Sequence, residues 1–139
     1  MASVIGDAIF THGTLEALNW ERQRRFSEEV LHLRSVRHVP IEAGVIAGRS
    51  NFGAVTIATK NAHEQGIENR WVVVVETATE VEEAHRRALS RRDDFAIRNI
   101  GELSSRAGVT SFLVHDGDGN WWEVTDRAIE SFIAPFESA

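Results

Sequence analysis

Six histidines, no cysteine and one glycine-rich acidic turn are the raw material for chemistry in this 139-residue chain. A neutral imidazole can bind a metal or move a proton near neutral pH, so each histidine is weighed first. His32, His38, His63 and His85 fall in stretches that read as helix or loop surface, and no role is assigned to them. His12 lies in an opening strand-like run. His115 closes a later one, where it serves either a site or a strand-end hydrogen bond. The lack of cysteine excludes disulfides, zinc–thiolate centres and thiol nucleophiles, and fits the expected cytoplasmic location. Asp116, Asp118 and Asn120 copy the start of a calcium loop. That loop needs glycine sixth and glutamate twelfth, where this chain has Trp121 and Arg127, so calcium is rejected.

The remaining charge points away from polyanions. Net charge is -6, which argues against nucleic-acid binding by phosphate contacts. Arginines cluster at Arg22, Arg24 and Arg25, and again at Arg86, Arg87, Arg91 and Arg92. Both clusters sit among glutamates and read as solvated helix faces with local ion pairs. The longest apolar run, Trp71 to Val75, is too short to span a membrane. The N-terminal residues lack the basic and apolar regions of a signal peptide. The expected partner is therefore a small-molecule ligand, with no nucleic acid and no membrane.

The elements that must position these groups come in two similar rounds. Phe10 to Leu15 reads as a strand, and Asn19 can cap a helix to about Leu31, with Phe26, Val30 and Leu33 along one apolar stripe. Three strand-like runs follow at Leu33–Val39, Ala43–Ala47 and Phe52–Thr59, punctuated by Pro40 and Gly48-Arg49-Ser50-Asn51. After a polar connector, Lys60 to Asn69, the order returns. Trp71 to Val75 lacks alternation and is predicted to be buried on both faces. Thr79 and Glu82 form a capping box for a second helix that buries Val81, Ala84, Ala88 and Leu89. Strands are predicted at Ile97–Leu103, Thr110–His115 and Asn120–Thr125, the last two joined by Asp116-Gly-Asp-Gly119. An amphipathic tail covers about Arg127 to Phe136. The predicted fold class is α+β, with one domain over residues 1–139: module one about 8–59, module two about 69–126 and a tail 127–139. Each module is βαβββ, and a helix covers only one sheet face, so two such sheets make an open cup lined by alternate residues.

This order, with three local stretches, resembles the vicinal oxygen chelate superfamily (glyoxalase, bleomycin-resistance and extradiol-dioxygenase-like proteins). The first stretch is His12-Gly-Thr-Leu-Glu16 with Arg24-Arg-Phe-Ser-Glu-Glu-Val-Leu31. There Ser27 stands where the family usually has tyrosine, and His32 where it usually has glycine. The most specific stretch is Val109 through Val124, containing Phe112, Asp116-Gly-Asp-Gly-Asn120 and Trp121-Trp-Glu123. A weaker one runs from Glu68-Asn-Arg-Trp71 to Val81-Glu-Glu-Ala-His85. Together these cover nearly the whole chain except residues 34–67.

The resemblance implies paired βαβββ modules whose antiparallel sheets form a cup, a homodimer, and a divalent metal (Fe, Mn or Zn) that chelates two neighbouring substrate oxygens. The extradiol-type ligands would fall on His12, Arg70 and Glu123, so the middle position departs from histidine. A guanidinium has no free lone pair and stays protonated. A doubly charged ion about 4 Å away would be repelled by roughly 8 kcal/mol at an effective dielectric near 20. No cofactor is therefore expected; if a metal is bound, His12 and Glu123 are the remaining ligands, with His115 the nearest rescue. The expectation instead is a metal-independent enzyme acting on an oxygen-rich, enolate-, phenol- or polyketide-like molecule. His12 would be acid or base, and Arg70 a cation that pairs bidentately with Glu123 or holds a substrate oxyanion. By strand alternation Trp121 and Thr125 share the face of Glu123, and with His115 they would contact substrate. Two alternatives stand beside this: a metal-free protein that sequesters its ligand, and a divalent-metal dioxygenase-like enzyme. The three charged groups could also be a buried, charge-compensated knot without function.

Overall fold

Alternation decides the first strand: Leu15 and Ala17 are buried while Thr14 is exposed, so β1 (His12–Ala17) has one face on the core. In this computed structural model, which describes residues 12–37, 45–49 and 52–137, β1 leads into α1 (Trp20–Glu29). Asn19 caps that helix, its side chain accepting the Arg22 N–H at 3.0 Å. Phe26, Val30 and Leu31 are buried along its stripe. His32, which follows, adopts φ 54°, a left-handed conformation costing a non-glycine residue roughly 1 kcal/mol. That strain falls where the resembling family usually has glycine.

Strands β2 (Arg34–Arg37), β3 (Val45–Arg49) and β4 (Phe52–Ala58) complete the first sheet in the order β1-β4-β3-β2. The expected strand ends at Phe10–Thr11, His38–Val39 and Ala43–Gly44 lie outside the described residues. The second round gives β5 (Arg70–Val74), α2 (Ala78–Ser90), β6 (Asn99–Ile100), β7 (Ser104–Arg106), β8 (Val109–His115) and β9 (Trp121–Thr125). Its sheet runs β5-β9-β8-β6, with β7 also on β8. A short α3 (Glu130–Glu137) ends the described chain. The sheets are mixed rather than purely antiparallel. In each, the first strand lies parallel to the last, β1 to β4 and β5 to β9, because the helix carries the chain across before the three-strand meander begins. No helix among the described residues is long and apolar enough to cross a membrane.

Four local expectations are corrected. The capping box sits two residues earlier: Thr77 Oγ1 accepts the Glu80 N–H at 3.2 Å, and the Glu80 carboxylate reaches back to the Glu76 N–H at 2.8 Å. Thr77 and Thr79 share the same spacing to a glutamate, so the pattern alone could not choose. β5 is not buried on both faces, since Val72 is 42 % exposed; as the end strand of its sheet it pairs only with β9 among the described residues. Of the Ile97–Leu103 run only Asn99–Ile100 forms a strand, β6; β7 begins beyond it at Ser104, and between them the Gly101 N–H still donates to the Leu113 carbonyl at 2.7 Å. Leu89 is exposed, one step round the helix from buried Ala88.

Both modules share one core. Leu15, Phe26 and Leu31 from the first cluster with Val81, Phe95, Phe112 and Trp122 from the second. Phe26 meets Phe95 edge-on at 6.3 Å and Trp122 at 6.2 Å. Trp71 stacks on Trp122 and lies so close over Gly13 that a Cβ there would sit 2.6 Å from the indole. Polar contacts fix the same junction. Asp118 Oδ1 accepts from the Leu18 and Asn19 N–H groups and from Arg22 Nη2, at 2.9, 3.2 and 3.0 Å. Arg87 Nε and Nη2 both donate to the Val30 carbonyl, at 3.2 and 3.0 Å. Arg22 and Arg87 thus leave the expected solvated faces, whereas Arg24 and Arg25 keep their i,i+4 glutamates.

The acidic turn is built around Asp116. Its Oδ1 accepts the Asp118 and Asn120 N–H groups, each at 2.9 Å, and its Oδ2 accepts Trp122 Nε1–H at 2.8 Å. Burial pushes this carboxyl above its ordinary pKa, while the three donors pull the other way. Truncation by Asp116→Ala leaves those donors without their acceptor in the interior. A stability loss of about 3 kcal/mol is expected, read as a lower urea midpoint.

Candidate functional site

The second sheet presents its open face through the same alternation that buries Trp122 and Val124. Residues in register line up across β5, β9 and β8. Arg70, Trp121 and His115 make one row; Val72, Glu123 and Leu113 make the next; Val74, Thr125 and Ser111 the third. Because β9 lies between the other two, Trp121 has the His115 strand on one side and the Arg70 strand on the other.

Arg70 and Glu123 meet on this face. Arg70 Nε donates to Glu123 Oε1 at 3.2 Å, and Nη1 donates to the Ile67 carbonyl at 3.2 Å. The expected bidentate pairing is not formed, because the backbone carbonyl three residues earlier takes the second donor. These bonds use two of the five N–H groups of a guanidinium. The side chains are 37 % and 23 % exposed, so the pair is no buried knot.

The aromatic part of the row is tightly ordered. The His115 ring stacks on Trp121 with centroids 4.3 Å apart and planes 5° from parallel. His115 Nε2 is buried and lies 3.4 Å from Glu64 Oε2, without hydrogen-bond geometry. Glu64 also pairs with Arg98 and packs 3.3 Å from where a Cβ on Gly119 would stand. Sequence reasoning missed Glu64 and Arg98. One lies in the connector and the other between α2 and β6, and no spacing rule relates them to His115. The connector is further tied by His63, whose N–H donates to Glu16 Oε2 at 2.7 Å. The bonds from that N–H and the imidazole hold the Glu16 carboxyl below its usual range.

Two expected members remain, Thr125 and His12. Thr125 shares the face by alternation but is buried, with its Oγ1 accepting the Arg127 N–H at 3.1 Å. His12 opens β1 in register with Gly53, and its side chain lies outside the described part of the structure. Among the described residues, no group of three or more histidine or carboxylate side chains could hold a metal. Where the resemblance implies the middle ligand, a hydrogen-bond donor occupies a carboxylate oxygen of the third. The described donor set does not fit a three-ligand metal site.

No protein-family model matches the chain, and no curated protein does either. Solved structures do. The fosfomycin resistance protein FosX from Mesorhizobium loti is 14% identical, with a TM-score of 0.67 over 89% of this chain and 96% of that one. A point mutant of FosX from Listeria monocytogenes, complexed with Mn(II) and 1S,2S-dihydroxypropylphosphonic acid, is 11% identical, with a TM-score of 0.69 over 94% and 98%. An integron cassette protein from the mobile metagenome of V. cholerae is 17% identical, with a TM-score of 0.61 over 91% and 100%. At such identities the likeness is one of fold.

A half-exposed ion pair adds little to stability. Arg70→Met and Glu123→Gln are each expected to change unfolding free energy by less than about 1 kcal/mol. A loss of about 3 kcal/mol or more would identify a structural pair instead.

Proposed function

This chain has the vicinal oxygen chelate fold, and from that premise we propose that its second sheet binds and transforms a small oxygen-rich molecule without a metal. The observation that carries the proposal is the Arg70–Glu123 pair, part-exposed on the open sheet face beside Trp121. In this reading Arg70 is the fixed positive charge that holds an enolate, phenolate or carboxylate oxygen. Trp121 offers its indole face to a planar substrate, and Glu123 keeps the guanidinium oriented. His12, on the first strand, is the acid or base. The reaction class is isomerisation, cyclisation or elimination, in which negative charge builds on oxygen and no redox partner is needed.

A second reading keeps the binding and drops the turnover. Val72 and Leu113 flank Glu123 in its row, and Trp121 stands in the next. That apolar surround would also serve a protein that sequesters a planar ligand. Homodimer formation belongs to the proposal as well, supported by exposed Val72 on the end strand of the sheet.

Calorimetric titration with salicylate, a planar ring bearing adjacent carboxylate and phenol oxygens, tests the site. Wild-type protein is expected to bind it, and Arg70→Ala to raise Kd about tenfold, the equivalent of one charged contact. Equal affinities would remove Arg70 from the site. Elemental analysis after expression with iron, manganese and zinc is expected to find metal well below one equivalent per chain. A stoichiometric value would return the protein to metal-dependent chemistry.

A further inference from the structure

Trp121 is a platform with one face already covered. Its indole plane is 5° from that of His115 at a centroid separation of 4.3 Å, and His115 comes from β8 on one side of β9. β5 lies on the other side of β9, and there Arg70 is the register partner of Trp121. His115 is itself held: its side chain is 16 % exposed, with Nε2 buried against the Glu64 carboxylate. Glu64, whose side chain is 60 % exposed, pairs in turn with Arg98 and lies over Gly119, which adopts φ 89° and carries no Cβ to displace it. The neighbouring Gln65 N–H donates to the Gly119 carbonyl at 3.0 Å, pinning the connector at this point.

We infer that His115 is a positioning residue, held by Glu64, that seals one face of Trp121 so that a ligand ring can stack only on the Arg70 side. This rests on the reading that the Trp121 face takes the ligand, and it changes the role of His115 from contacting substrate to backing the residue that does. The consequence is selectivity for a single planar ring whose oxyanion points toward Arg70. A ligand that must be gripped on both ring faces finds no second aromatic wall in this row.

The test uses His115→Ala, His115→Phe and Glu64→Ala, with Trp121→Phe to isolate the Trp121 contribution to near-UV circular dichroism. His115→Ala is expected to abolish that contribution and to raise the salicylate Kd about three- to tenfold, the range for losing one aromatic stack. His115→Phe, which keeps a flat ring but no imidazole, should restore both. Glu64→Ala should show a partial loss of each. A Trp121 signal unchanged in His115→Ala overturns the positioning role. A lost signal with unchanged salicylate affinity overturns its bearing on the ligand. Wild-type protein that fails to bind salicylate counts against the functional reading above, and the dichroism of the three variants still decides whether His115 positions Trp121.

Discussion

Everything on the open face depends on how α1 is gripped by the second module. Its first turn is held by the Asp118 carboxylate, which accepts two backbone N–H groups and a guanidinium. Its last turn is held by Arg87, two of whose N–H groups converge on one carbonyl. An anion at the amino end and a cation at the carboxyl end match the sense of the helix dipole. Both charges come from across the module junction. The grip presses Phe26 between Phe95 and Trp122, so the packing of one module is completed by the other. On the second sheet the opposite face carries part-exposed Arg70 and Glu123.

The turn that supplies Asp118 serves two purposes at once. Asp116 organises the β8–β9 hairpin and anchors Trp122 from within, which fixes the phase of β9. With Trp122 and Val124 inward, Trp121 and Glu123 must face outward. Asn120 adds a bond from its side chain to the Glu16 carbonyl of β1 at 2.8 Å. A stretch that looks from its residue types like an ion-binding loop is therefore a joint, with its carboxylates spent on N–H groups of the protein itself.

Much of this was legible in the sequence, for physical reasons that differ between elements. The paired modules, the Asn19 cap and the hairpin depend on contacts within a few residues, and local pattern reports such contacts. The joint did not show, because Asp118 and Leu18 lie 100 positions apart and nothing in an Asp-Gly-Asp-Gly run names its partner. Glu64 was hidden for the same reason. The burial of Thr125 was also hidden, since alternation gives direction but not exposure. Arg70 and Glu123 were brought together by resemblance, and the structure adds what resemblance could not supply: a single bond between them, with the second donor taken by Ile67. The charge of Arg70 is thus steadied from two directions without being enclosed.

The contact between Gly13 and Trp71 bears on the shape of the whole molecule. These residues belong to the first strand of each module, and an indole lies against the backbone where any other residue would carry a side chain. The two strands approach as closely as an aromatic ring resting on a peptide allows. The spacing between the modules is therefore gauged by a missing methyl group. A larger residue at that one position would act as a wedge between the first strands of the two modules.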